Sequence, residues 1–171
     1  MNLAQQQSAL LSLLKTGASV EGDPYIRAVA ASDHLPMLRE IILSWRVYDI
    51  EHHCRLTASL LKKRGRLHDV VAAFAATPNL SPFPDRLSET FLQQMSEDDD
   101  LLTSCVARLE LYFRRVKRGD HGEYTIDWPC DPHTLIANLV QEGPLLPLAG
   151  DKPQRMTIAR GLPGMVQVSA G

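Results

Sequence analysis

The sequence contains few cysteines, and their positions argue against the usual metal and disulfide frameworks. Of 171 residues only three are cysteine, Cys54, Cys105 and Cys130, and no two of them form a C-x-x-C pair. An odd number of widely spaced cysteines is typical neither of a disulfide framework nor of a thiolate zinc site. We therefore expect reduced thiols and a cytoplasmic protein.

The chain also lacks long apolar runs, a targeting segment and a strong charge of either sign. No apolar stretch approaches the roughly 18 residues of a membrane span, and the N-terminal residues lack the basic region of a signal peptide. The formal net charge is -2, from 18 basic and 20 acidic residues. We therefore expect neither membrane association nor a globally basic nucleic-acid binder.

Catalytic signatures are missing as well. The sequence has no G-x-S-x-G, no P-loop and no G-x-G-x-x-G. His52 and His53, with Asp49, form the densest group of potential metal ligands, but adjacent histidines point about 100 degrees apart on a helix. We therefore expect no catalytic residue, no metal site and no cofactor in this chain, and we interpret the histidines as a polar or partner-facing patch.

Helical periodicity dominates the first two thirds of the chain. Apolar spacing before Gly17 and the start signal Asp23-Pro24 predict two short helices. From Leu35 the spacing predicts either one long helix or a broken pair that ends at Gly65. Two further apolar stripes predict helices over Leu67–Phe74 and Phe83–Met95.

The strongest helical pattern runs from Leu102 to Val116 and predicts a central helix. Ser96, with Glu97, Asp98 and Asp99, predicts a capping box and a negative first turn for this helix. Basic residues end it at Arg114-Arg115 and Lys117-Arg118, where they offset the helix dipole and are also candidates for binding an acidic peptide.

After Gly119 the pattern changes. Glu123–Trp128 alternates with period two and predicts a strand, and Asp131-Pro132 predicts the start of a short helix. A hairpin is predicted from Arg155–Arg160 and Met165–Ser169, joined by a type II turn at Pro163-Gly164. The fold class expected is mainly α with a small C-terminal α+β element: a helical domain over residues 1–118, then residues 119–171 with a two- or three-stranded antiparallel sheet.

A small sheet leaves strand edges open, and extended peptides bind by pairing with such edges. On the predicted first strand, Tyr124, Ile126 and Trp128 share one face, and Thr125 and Asp127 share the other. If the protein itself covers both edges of the sheet, the aromatic residues are simply part of the core. If an edge is open, that edge is a candidate site for an extended peptide. Both interpretations remain open at this point.

The run Arg114–Asp120, followed by Tyr124–Trp128 and Asp131-Pro132, resembles the small partner proteins of multinuclear non-heme iron-dependent oxidative enzymes. Those enzymes modify cysteines in ribosomally made peptides, as in the methanobactin and thiaglutamate pathways. The resemblance covers about residues 100 to 145. It implies a non-catalytic subunit, closest to the thiaglutamate type, that forms a heterodimer with a barrel-fold iron enzyme and helps engage the precursor peptide. The iron then belongs to the partner enzyme.

The residues themselves suggest how such a peptide binds. A precursor strand pairs with the backbone of residues 123–128 or 155–160, while arginines meet its acidic side chains. The candidate peptide-binding residues are Arg114, Arg115, Arg118, Tyr124, Thr125, Ile126, Asp127, Arg155 and Arg160.

Two other functions remain possible on the sequence. The first is a helix-turn-helix DNA-binding regulator whose Pro-Gly hairpin serves as a wing, although the hairpin has only Arg155 and Arg160 to contact phosphate. The second is an independent metalloenzyme that uses His52, His53 and their acidic neighbours.

Overall fold

The computed structural model describes residues 2–17, 23–78, 80–141, 143–145 and 153–170. Within these ranges the chain is mostly helical, with a small antiparallel sheet near the C-terminus, so the predicted fold class is confirmed. The helices are α1 Leu3–Thr16, α2 Pro24–Ala30, α3 Leu35–His53, α4 Arg55–Lys63, α5 Leu67–Ala75, α6 Pro84–Met95, α7 Leu101–Lys117 and α8 Pro132–Val140. The strands are β1 Tyr124–Trp128, β2 Gln154–Ile158 and β3 Val166–Ala170.

The predicted boundaries of the first two helices are confirmed. α1 ends at Gly17, whose φ of 74° is the left-handed conformation that glycine adopts without a Cβ clash. The Asp23 side chain accepts hydrogen bonds from the backbone N–H groups of Tyr25 and Ile26, and Pro24 occupies the first turn of α2. Both signals act within a few residues, which explains why the sequence alone reveals them.

The helical region from residue 35 to residue 65 is a broken pair rather than one long helix. α3 ends at His53, and Cys54 adopts φ -121° and ψ 55° before α4 begins. Cys54 offers no side-chain cap, and the carboxylate of Glu110 on α7 replaces it. Glu110 accepts hydrogen bonds from the backbone N–H groups of Leu56 at 3.0 Å and Thr57 at 2.9 Å. A residue from another helix therefore stabilises the start of α4.

The predicted cap of the central helix is wrong. Asp100 is the N-cap of α7 and accepts the backbone N–H of Thr103, whereas Ser96 is the C-cap of α6. The carbonyl oxygen of Ser96 accepts hydrogen bonds from Ser104 Oγ at 2.7 Å and Arg108 Nε at 3.1 Å. Ser96 therefore joins α6 to α7. Asp100 is the cap because it lies directly before the first turn of α7 and satisfies its backbone.

The sheet has the order β1-β2-β3, and both pairings are antiparallel. Along the central row, Ile126 lies opposite Met156 and Met156 opposite Val168. The predicted type II turn is confirmed: Gly164 has φ 63° and ψ 14°, and Met165 N–H donates to Leu162 O at 2.9 Å. This turn lies in a single 3-10 segment, Pro163–Met165, that joins β2 to β3.

The chain divides into two compact units, one formed by Met1–Tyr48 with Asp69–Leu80 and the other by Asp49–His68 with Ser81–Gly171. The first unit has a small core around Ala9, Leu13 and Ile26. The second has a larger core that α7 shares with α4, α8, β1 and β2. The division expected at residue 118 stays a prediction. None of the helices in the described ranges is long and apolar enough to cross a membrane.

Replacing the capping carboxylate should destabilise the protein. Glu110→Ala leaves the N–H groups of Leu56 and Thr57 without their acceptor, so we expect the free energy of unfolding to fall by about 1–3 kcal/mol. Urea denaturation measures this change. The exposed Glu97→Ala is the matched control, with an expected change within about 0.5 kcal/mol. Equal unfolding midpoints for the two variants would contradict the capping role.

Candidate functional site

The sheet edges are the features of the second unit best suited to bind an extended peptide. β2 is the central strand and pairs with β1 on one side and with β3 on the other. Its backbone is therefore already used, and the expectation that a peptide pairs with the strand at residues 155–160 is wrong for 155–158. The outer edges of β1 and β3 have no paired strand among the described residues.

The β1 edge is partly occupied by the protein's own groups. The carbonyl oxygen of Asp127 accepts a hydrogen bond from Cys105 Sγ at 3.3 Å, and the Asp127 carboxylate accepts one from Arg155 Nε at 2.7 Å. Ile126 is 1% exposed, so its side chain belongs to the core and only its backbone remains a candidate. Thr125 is exposed on the opposite face. The Asp127–Arg155 pair joins β1 to its neighbour β2 and does not occupy the outer edge, so only the Cys105 contact bears on strand addition at β1.

At the start of β1, an aromatic stack fixes the backbone. The rings of Tyr112 and Tyr124 are parallel to within 14°, with their centroids 4.4 Å apart. The Tyr124 hydroxyl donates to Asp120 Oδ2 at 2.6 Å, and this hydrogen bond lowers the pKa of Asp120 and raises the pKa of Tyr124. The guanidinium of Arg115 lies 6.0 Å from the centre of the Tyr124 ring.

The β3 edge is more open. Val166 and Val168 are half-buried and pack against the core of the second unit, whereas Gln167, Ser169 and Ala170 are exposed. The strand therefore has one apolar and one polar face, and its outer edge is unpaired among the described residues. A fourth strand beside β3 would extend the apolar face without displacing any contact described for β1.

The predicted arginine cluster does not form one surface. Arg114 Nη1 donates to Ser88 Oγ at 2.6 Å, and Arg118 Nη1 contacts Glu89 Oε2 at 2.7 Å, so both side chains interact with α6. Arg115 is the one of the three that contacts β1, through Tyr124. Arg160 is exposed in the turn that follows β2. Of the nine candidates, the structure thus brings together Arg115 with Tyr124, and Asp127 with Arg155.

The apolar stripe of α3 is exposed, which the sequence pattern did not reveal. Trp45 is 64% exposed, Met37 58% and Tyr48 57%. Leu38, Ile41 and Ile42 are also among the exposed large apolar side chains. Exposed aromatic and methionine side chains are enriched in protein interfaces. Helical spacing identifies the helix, but it does not tell whether other elements cover it.

The three thiols are buried, and the two adjacent histidines contact each other. Burial raises the pKa of Cys54 to about 12 and of Cys105 to about 11, and it also raises the pKa of Cys130. His52 and His53 meet edge to face, with ring centroids 5.0 Å apart. In the part of the chain that the structure describes, no group of three or more His, Cys, Asp or Glu residues could hold a metal ion.

Comparisons with protein-family models, with curated proteins and with solved structures found no match to this chain.

The three thiols should be unreactive in the folded protein. At pH 8 we expect slow alkylation of Cys54 and Cys105 by iodoacetamide, because only the thiolate reacts and both pKa values lie at least two units above that pH. The same reaction in urea, with the chain unfolded, is the control. Peptide mass spectrometry identifies the labelled positions. Fast native labelling of either cysteine would show that it is accessible.

Proposed function

We propose that this chain is the non-catalytic partner subunit of a multinuclear non-heme iron oxidase and helps present a ribosomally made precursor peptide for cysteine modification. The resemblance of residues 100–145 to such partner proteins suggests this role. The observation that carries the proposal is the open β3 edge, with half-buried Val166 and Val168 on one face. This edge is suited to bind an extended peptide.

Strand addition explains how the edge recognises a peptide. Backbone hydrogen bonds between β3 and the peptide supply sequence-independent affinity, and alternate peptide side chains meet the two faces of the sheet. On the core-side face the peptide's side chains would lie beside Val166 and Val168, and on the other face beside Gln167 and Ser169. We therefore expect the bound segment to alternate between apolar and polar residues.

In this proposal the chain binds and orients the peptide but carries out no bond-breaking step. The iron of the partner enzyme supplies the oxidation of the peptide cysteine. The raised pKa values of Cys54 and Cys105 fit this division, because protonated and buried thiols are poor nucleophiles. The exposed apolar face of α3, with Trp45 and Tyr48, supports a role in protein assembly.

The helix-turn-helix alternative has less support. Of the two hairpin arginines, Arg155 donates through Nε to Asp127 Oδ1 at 2.7 Å. An arginine paired with a carboxylate is less available to a DNA phosphate. Among the described ion pairs of the two wing arginines, Arg155 has one with Asp127 and Arg160 has none. DNA binding therefore stays the second candidate.

Purification from native cells tests the subunit role. We expect the tagged chain to retain an iron-containing enzyme in an equimolar amount, together with a short cysteine-containing peptide. Metal analysis and mass spectrometry identify both. A chain that elutes alone contradicts the proposal. A chain that elutes with DNA removable by salt favours the regulator instead.

Two variants test the binding edge at β3. Val168→Asp places a carboxylate on the apolar face, and we expect about tenfold weaker binding of the resynthesised peptide, or about 1.4 kcal/mol. Gln93→Asp introduces the same charge on the exposed side of α6, outside the sheet, and should change the affinity by less than about twofold. Isothermal titration calorimetry measures both.

The melting temperature of each variant separates loss of binding from loss of the hairpin. Val168→Thr keeps the β-branched shape and provides a milder polar change if Val168→Asp does not fold. Equal affinities of the two aspartate variants, both folded, would exclude β3 as the peptide-binding edge.

A further inference from the structure

The first compact unit contains an apolar groove of about 560 Å³, separate from the sheet edges. Its walls are α1, α3 and α5 together with the residues that follow α5. The apolar lining includes Leu11, Leu14, Ile42, Leu43 and Leu80. A volume of this size falls in the range of about 300–1,000 Å³ found for binding sites.

One wall of the groove is formed by alanines, whose small side chains leave space in it. Ala72, Ala75 and Ala76 line the groove at spacings of three and one, which place them on one side of α5 and its extension. Leu11 remains 53% exposed and Ile42 36% exposed. Part of the apolar lining is therefore accessible from solvent.

Cations predominate among the charged residues that line the groove. Lys15, Arg39 and Arg46 are basic, and Glu40 is the one acidic residue of the lining. Arg39 and Arg46 are seven residues apart, so they lie on the same face of α3, about 10 Å apart along its axis. Lys15 comes from α1. An occupant with carboxylates spaced by two helical turns matches this arrangement.

The position of Arg39 is fixed by α1. A Cβ atom at Gly17 would lie 2.8 Å from Arg39 Nη1, so the guanidinium packs directly against the end of α1. Lys15 is in the last turn of the same helix. Both cations also offset the negative end of the α1 dipole, which favours their positive charge at this place.

We propose that this groove binds an amphipathic helix with acidic flanks, contributed by a protein partner. The apolar side of the helix packs on the leucines and alanines of the groove, in the manner of helix-in-groove recognition. Its carboxylates interact with Lys15, Arg39 and Arg46. A groove accessible from solvent favours a helix over an acyl chain, because a helix covers the apolar floor and keeps its own polar side in water. This surface is a second recognition site, independent of the peptide edge at β3.

Two synthetic helical peptides of about 18 residues, labelled with fluorescein, test the proposal. Both have leucines at positions i, i+3, i+4 and i+7, but one has glutamate flanks and the other lysine flanks. Fluorescence anisotropy with the full-length chain measures both affinities. We expect the acidic peptide to bind at least about tenfold more tightly, and its affinity to fall as salt is added.

Variants locate the binding. Arg39→Glu should weaken binding of the acidic peptide and reduce its advantage over the basic peptide, and Ala75→Trp should weaken binding by about tenfold because it fills the groove. Arg27→Glu is the matched control: it reverses a cation in the last turn of α2, in the same unit but outside the groove lining. It should leave both affinities unchanged. Melting temperatures show which variants are folded.

Several results of these measurements would overturn the proposal. Equal binding of the acidic and basic peptides, or no measurable binding of either, overturns the proposal. If Arg27→Glu weakens binding of the acidic peptide as much as Arg39→Glu does, the proposal is also overturned, because the effect then depends on net charge and not on the groove. Displacement of the acidic peptide by palmitate, at equal or lower concentration, would assign the groove to an acyl chain instead.

Discussion

The second compact unit depends on the burial of α7. Its apolar residues form the centre of the core, and its polar residues hold the neighbouring elements. Glu110 caps α4, Cys105 donates to the Asp127 carbonyl oxygen of β1, and Arg114 donates to Ser88 of α6. Because one helix satisfies polar groups on three neighbours, it joins α4, α6 and β1 around the core.

Most of the side chains considered for a site are engaged in the protein's own packing. The thiols are buried and protonated, and within the described ranges the acidic and histidine side chains do not assemble into a metal-binding group. Most of the arginines that seemed suited to an acidic peptide are used to join α6 to α7 or to pair with a neighbouring strand. The outer edge of β3 has no paired strand among the described residues and has apolar side chains on one face, and strand addition there is the basis of the proposed function.

The accessible surfaces of the first compact unit differ in kind from the sheet edges. They are formed by side chains rather than by backbone. One is the groove lined by leucines, alanines and three basic residues, and the other is the face of α3 with Trp45 and Tyr48. The charges of the groove indicate what kind of partner fits it. The outer face of α3 has no comparable feature that identifies an occupant, although its exposed aromatic and methionine side chains are of the kind enriched in interfaces.

The sequence by itself determined the features that act over a few residues. Asp23 and Gly17 set helix ends, the alternation of residues 124–128 set a strand, and Pro163-Gly164 set a type II turn. The tertiary structure decided the rest. The start of α4 depends on Glu110, more than fifty residues away; β2 is central because both other strands pair with it; and the α3 stripe is exposed because no described element covers it. Local patterns encode backbone conformation, whereas pairing and exposure depend on residues that are distant in the chain.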